Sequence, residues 1–158
     1  MTTHLLSQHA FDRLQAELED LTTRGRIEVA EKIERARELG DLSENGDYHA
    51  AKDEQGHMEG RIRQLENLIA NAEIVAPPVD GVVGPGSIVT VVYEGDDESA
   101  AERYLVGHIE EERDDDLELV SPESPLGQAL IGARNGESVT YEAPNGQLHV
   151  KVLKAETA

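Results

Sequence analysis

Three carboxylates crowd into residues 41–47 of the stretch Gly40-Asp41-Leu42-Ser43-Glu44-Asn45-Gly46-Asp47-Tyr48. Carboxylate oxygens are hard donors that suit Mg²⁺ or Ca²⁺, and paired carboxylates can also act as general acid and base. The order Asp41-x-Ser43-x-Asn45-Gly46 matches the opening of a helix–loop–helix calcium site. The twelfth position of such a loop needs a bidentate Glu, however, and here it is Lys52. Asp41 and Glu44, three residues apart, are within reach of one ion. They fall in a short connection between two helical stretches, where no cleft can hold a substrate in a reactive pose. Two or three carboxylates hold Mg²⁺ only weakly, since that ion keeps most of its waters. Acids in this position make sense as ligands carried into the active site of another protein.

The other chemistry-bearing residues exclude several classes. There is no Cys, hence no disulfide, thiolate metal site or Cys nucleophile. The six His follow no zinc spacing, and His49 and His57 read as surface residues of one helix. Ser43 has no activating His, so its expected role is that of a turn or cap. No Gly-rich phosphate loop follows a strand. The formal net charge is −19, with a pI near 4.5. Such a surface repels phosphates, so autonomous nucleic-acid binding is not expected. The N-terminus lacks the basic start and apolar run of a signal peptide, and no stretch is long and apolar enough for a membrane helix. These features point to a cytoplasmic protein.

The elements that must position the acids divide the chain in two. Residues 1–75 are dense in Leu, Ala, Glu, Arg and Gln and contain no Pro. A stiff segment, Ala76-Pro77-Pro78-Val79-Asp80-Gly81, follows, and 82–158 turns to Val, Thr, Gly and Pro. In the first part Tyr48, Ala51, Gln55, Met58, Ile62, Leu65, Ile69 and Ala72 alternate spacings of three and four, a coiled-coil seam. The preceding run carries Phe11, Leu14, Leu18 and Leu21, then Val29, Ile33 and Ala36. Its step from Leu21 through Gly25 to Val29 is a stutter, which predicts a bend or a loosened turn. Gly40 suits a helix C-cap, and Asn45 or Asp47 an N-cap. The short connection makes the two helices antiparallel, and about 30 residues at ~1.5 Å each give an arm of roughly 45 Å with the acids at its tip.

The second part reads as α+β. Strands are predicted over Ser87 to Tyr93, Arg103 to Ile109, Leu117 to Val120, Ser138 to Tyr141 and Gln147 to Leu153. A hairpin turn is expected at Pro144-Asn145-Gly146 and a short helix over Pro125 to Ile131, capped by Ser124. The acidic runs Glu94 to Glu98 and Glu110 to Asp116 read as solvated turns.

Gly40-Asp41-Leu42-Ser43-Glu44-Asn45, then Tyr48-His49-Ala50-Ala51-Lys52, Glu54-Gln55-Gly56 and Glu59-Gly60-Arg61-Ile62 closely resemble the bacterial transcript cleavage factors of the GreA/GreB family, its GreA branch above all. Ser124-Pro125-Leu126-Gly127-Gln128-Ala129-Leu130-Ile131-Gly132, Gly136 and Pro144-Asn145-Gly146 are similar to the family's C-terminal domain, so the resemblance covers nearly the whole chain. It implies an α+β protein: a long antiparallel coiled-coil hairpin, then a small FKBP-like β-sheet domain with a short helix that docks on RNA polymerase. The hairpin then enters the secondary channel of the polymerase as a monomeric factor. The factor is no enzyme alone; it stimulates the polymerase's Mg²⁺-dependent cleavage of the backtracked RNA 3′ end, so any contact with DNA is indirect. By motif position Asp41 and Glu44 are the catalytic and metal-binding acids, sharing Mg²⁺ with the polymerase only in the complex. Ser43, Asn45 and Tyr48 hold the tip geometry, and Arg37 and Lys52 contact RNA or channel walls. Ile27 stands where the family often has Pro, implying a milder irregularity, and Gly46 replaces a more common Ala. Two other readings compete: a channel-binding inhibitor of RNA polymerase, and a prolyl isomerase on fold analogy alone, poorly furnished with aromatics at Tyr93, Tyr104 and Tyr141.

Overall fold

The computed structural model describes residues 3–157. It separates into two compact units: Phe11–Ala72 forms one, and Thr3–Ala10 joins the chain from Glu73 onward in the other.

The helical unit takes its form from the apolar seam. Helix α1 (Gln8–Asp20) leads through a π turn (Leu21–Gly25) into α2 (Arg26–Glu38), and α3 (Gly46–Ala70) runs back beside it. The π turn lies where the stutter predicts a loosened one: Arg26 N–H donates to Leu21 O, five residues back. Thr22 and Thr23 support it, their hydroxyls donating to Leu18 O (2.8 Å) and Glu19 O (2.7 Å). Gly25 lies close against α3, since a Cβ there would lie 3.1 Å from Met58 Sδ. Leu14, Val29, Ile33, Ala36, Ala51, Ile62 and Leu65 are buried, as the periodicity predicts. The end of the seam departs from it. Leu68 is buried and Ile69 only half-buried, while Ala72 lies beyond the helix in a strand. An untwisted α-helix drifts about 20° per heptad, which carries the buried face off a strict heptad by its last turn. Antiparallel pairing is visible in Arg26–Glu59 (2.9 and 3.0 Å), Lys32–Glu54 (3.0 Å) and Arg61–Glu17 (2.7 and 2.9 Å). The Arg61 guanidinium, donating twice to Glu17, holds that carboxyl below its ordinary range.

The other unit is built on a five-stranded sheet. Besides β1 (His4–Leu6) and β2 (Ala72–Ile74), which pair with each other, it has β3 (Ser87–Tyr93), β4 (Glu102–Val106), β5 (Glu118–Val120), β6 (Ser138–Ala143) and β7 (Gly146–Thr157). The order is β5-β4-β3-β7-β6, antiparallel except for the β4–β5 pair. The short helix α4 (Pro125–Leu130) packs against β6, and Ser124 caps it, accepting from Gly127 N–H at 3.1 Å. The β6–β7 hairpin turns at Pro144-Asn145 as its sequence predicts. Register between β3 and β7 slips after Thr90, so that Lys154 and Val152 are successive partners and Leu153 is the extra residue. The slip resets the face of β7: Val150 and Val152 point into the core, and Ala155 rejoins it.

The structure corrects three sequence readings here. β4 ends at Val106, not Ile109, which is exposed. β7 continues to Thr157 because β3 supplies partners for it from Val150 to Thr157. Glu111 is not simply solvated: its carboxylate accepts from Ser7 N–H (3.1 Å) and from the Ser7 hydroxyl, which also accepts from Ala10 N–H (3.1 Å). Among the described residues no helix is long and apolar enough to cross a membrane.

Candidate functional site

The tip is assembled by the end of α2 and the start of α3. α2 closes with Gly40 N–H donating to Arg37 O at 3.2 Å, and Gly40 has φ 109°, a left-handed value that turns the chain out of the helix. Asn45, not Asp47, caps α3: its Oδ1 accepts from Tyr48 N–H at 3.0 Å. Its Nδ2 donates to Ala36 O at 2.6 Å, so one side chain ties the last turn of α2 to the first turn of α3. Asp47 lies in that first turn, where a negative charge is favoured by the helix dipole.

Between these anchors Asp41 and Glu44 are exposed, as their tip position predicts. Asp41 Oδ1 accepts twice from Ser43, from N–H at 3.1 Å and from the hydroxyl at 2.9 Å. Glu44 has no side-chain partner among the described residues. Tyr48 is half-buried, with the Arg37 guanidinium carbon 6.0 Å from its ring centroid. Lys52 donates to Gln55 at 2.8 Å along the exposed face of α3. Thus Asp41, Ser43, Glu44, Asn45, Tyr48 and Arg37 come together at the tip, while Lys52 stands apart on the helix.

One contributor escapes the sequence reading. His49, read there as a surface residue, sends its Nε2 to Ser43 O at 3.3 Å. The carbonyl can only accept, so that nitrogen carries the proton. The available signal was geometric: side chains in a first turn lean toward the helix N-terminus, and His49 leans back over the loop.

Among the described residues no three His, Asp or Glu side chains converge on a metal-sized position. The donor set at the tip is chemically right for Mg²⁺, being hard carboxylate oxygen, but too small to hold that ion without further ligands. The second unit's aromatics serve packing: the hydroxyls of Tyr93 and Tyr141 lie 3.0 Å apart, and Tyr104 donates to Glu102. Burial, with the bond to Tyr93, pushes the Tyr141 phenol up to about 12.

Residues 4–74 match the family model described as transcription elongation factor, N-terminal, and residues 78–157 match that of transcription elongation factor, GreA/GreB, C-term. The chain belongs to the GreA/GreB family of transcription elongation factors. It is 52% identical over 153 residues to transcription elongation factor GreA of Saccharopolyspora erythraea, covering 96% of this chain and 93% of that one. The GreA of Mycolicibacterium smegmatis is 51% identical over 154 residues, covering 96% and 93%. Among solved structures, GreA factor homolog 1 of Thermus thermophilus is 26% identical over 98% of this chain and 99% of its own, with a TM-score of 0.45. Family membership accounts for the two-part organisation and places the tip residues in a factor rather than in a free-standing enzyme.

Proposed function

We propose that this chain binds RNA polymerase and stimulates the polymerase's own cleavage of backtracked RNA, rescuing arrested complexes. In this reading the paired helices are a coiled-coil arm that enters the secondary channel of the polymerase, and the C-terminal FKBP-like sheet domain docks the monomeric factor at the channel rim in the cytoplasm. The observation that carries it is the intact Asp41-Leu42-Ser43-Glu44-Asn45 loop, its acids exposed at the end of two long helices, in a member of an elongation-factor family.

Hydrolysis of a phosphodiester by two metals needs one ion to activate water and another to support the leaving oxygen. Asp41 would hold the second Mg²⁺ together with polymerase ligands, and Glu44 would hold the same ion or orient the attacking water. Asn45 fixes the loop against α2 and α3. Arg37, over Tyr48, and Lys52 carry positive charge where extruded RNA or the channel wall would pass. The overall acidity of the chain disfavours direct binding to nucleic acid, so contact with RNA follows from docking on the polymerase.

The test uses polymerase stalled in a backtracked complex with 3′-labelled RNA and Mg²⁺. Wild-type factor should release short 3′ fragments rapidly, whereas Asp41→Asn and Glu44→Gln should bind the polymerase yet release few. Binding that only slows elongation would make the protein a channel inhibitor instead.

A further inference from the structure

Asp41 and Glu44 are held very differently. Both hydrogen bonds to Asp41 arrive at the same oxygen: Oδ1 accepts the Ser43 N–H at 3.1 Å and the Ser43 hydroxyl at 2.9 Å. Oδ2 has no partner among the described residues. Ser43 is itself held from the other side, because His49 Nε2–H donates to its carbonyl at 3.3 Å. That carbonyl belongs to the peptide unit joining Ser43 to Glu44, so the same contact orients the backbone from which Glu44 departs. Asn45, next in the chain after Glu44, is tied by its own side chain to both helices. The result is a relay from the first turn of α3, through His49 and Ser43, to one oxygen of one carboxylate.

Resting on the cleavage-factor reading, we propose that Ser43 is a positioning residue that presets Asp41 as a one-oxygen ligand, with His49 bracing it. An Asp side chain in an exposed loop otherwise samples several rotamers. Two donors on Oδ1 select one of them and leave Oδ2 free. A strongly hydrated ion that gives up few of its waters suits a ligand offering a single oxygen in a fixed direction. Residues that orient a metal ligand typically change metal affinity by about 10- to 100-fold when removed. Ser43 loses only one of its two donors on truncation, so the lower end of that range applies. Glu44, unbonded but mounted on a fixed backbone, keeps the freedom to meet the ion or a water.

The experiment compares Ser43→Ala and Ser43→Thr with the wild-type chain by two measurements. The first is the Hα–Hβ coupling pattern of Asp41 in the free factor by NMR. Wild type and Ser43→Thr should show one dominant rotamer, and Ser43→Ala an averaged pattern. The second is the Mg²⁺ dependence of cleavage in backtracked complexes at saturating factor. Ser43→Ala should raise the half-saturating Mg²⁺ on the order of tenfold, with cleavage recovering at high Mg²⁺, and Ser43→Thr should match wild type. Unchanged Asp41 couplings and unchanged Mg²⁺ dependence in Ser43→Ala would overturn the proposal, as would a defect that no Mg²⁺ concentration restores. Asp41→Asn in the same assay separates the two levels. If it cleaves normally, the reading of the tip fails; if it is inactive while Ser43→Ala is normal, only the positioning role fails.

Discussion

At the scale of single residues, two positions show how local chemistry sets this structure. Asn45 satisfies one backbone donor of α3 and one backbone acceptor of α2 with the two ends of its amide. Asn45→Ala should cost about 1 kcal/mol or more, the usual loss for a removed cap, and the second bond goes with it. The drop is measurable as a lower urea midpoint for the helical signal, and Asn45→Asp, which keeps the cap alone, should recover part of it. Gly127 is constrained by space rather than by φ: a Cβ there would sit 1.9 Å from Ser121 O. The Ser124 hydroxyl binds that same carbonyl at 2.7 Å while capping α4, so the loop cannot move aside cheaply. Gly127→Ala should therefore strongly destabilise the sheet unit, seen as loss of dispersed amide signals from β6 and β7 while the α3 signals persist.

At the scale of elements, the π turn and the docked N-terminal segment give distinct predictions. Gly25 is unfavourable in a helix by ~1 kcal/mol relative to Ala, and the only tight neighbour of an added methyl is the flexible thioether of Met58. Gly25→Ala should then raise stability by up to ~1 kcal/mol in urea unfolding. The π turn persists, because Thr22 and Thr23 still bond the carbonyls behind them. Segment Thr3–Ala10 is held differently. His108 Nδ1 accepts from Glu110 N–H at 3.0 Å, so its proton is on Nε2, which donates to His4 Nδ1 at 3.0 Å. The His108 ring must be neutral to accept at one nitrogen and donate from the other. Burial, and then the neighbouring His4, lower the His108 pKa, and Glu110, Glu111 and Glu123 oppose the shift only partly. A lowered His pKa means that the unfolded segment binds more protons. The stabilisation is complete above the ordinary His value near 6.5 and declines as pH falls through it toward the lower folded value. Amide exchange of β1, corrected for intrinsic rates, should show less protection at pH 5.5 than at 7.5, and His108→Leu should remove that difference.

At the scale of the whole molecule, charge is the dominant property. The helical part to Val75 holds 9 basic and 16 acidic residues, and the remainder 5 and 17. Many basic side chains in the helical unit are spent on local pairs, such as Arg24 with Asp20 and Glu28, or Arg26 with Glu59. Exposed pairs of this kind contribute little each, so the uncompensated excess of acid governs the response to salt. Screening shortens to about 8 Å at physiological ionic strength, which weakens repulsion among acids spread over the surface more than it weakens contacts within a pair. The melting temperature should therefore rise between low salt and about 0.3 M NaCl. A fall would show that paired charges outweigh the excess.

Much of this architecture was written in residues close to one another. The helical seam, the loosened turn before Val29, the Gly40 exit, the Ser124 cap, strand Ser87–Tyr93 and the turn at Pro144-Asn145 all rest on periodicity or capping within a few residues. The acids at the tip were legible for the same reason, as a dense local motif. What only tertiary structure decided involves partners far apart in the chain. Glu111 meets Ser7 and His108 meets His4 across a separation of 104 residues, and β1 finds β2 only after the helical unit has returned the chain. The slip at Leu153 sets buried Ala155 opposite buried Val89 and buried Val152 opposite buried Val91, a match that only the pairing with β3 defines. Even at the tip, the motif marked Asp41 as a candidate ligand but not which oxygen is held. That depends on the turn bringing Ser43 back over Asp41 and on α3 aiming His49 at the loop, and spacing alone does not specify the direction of a side chain.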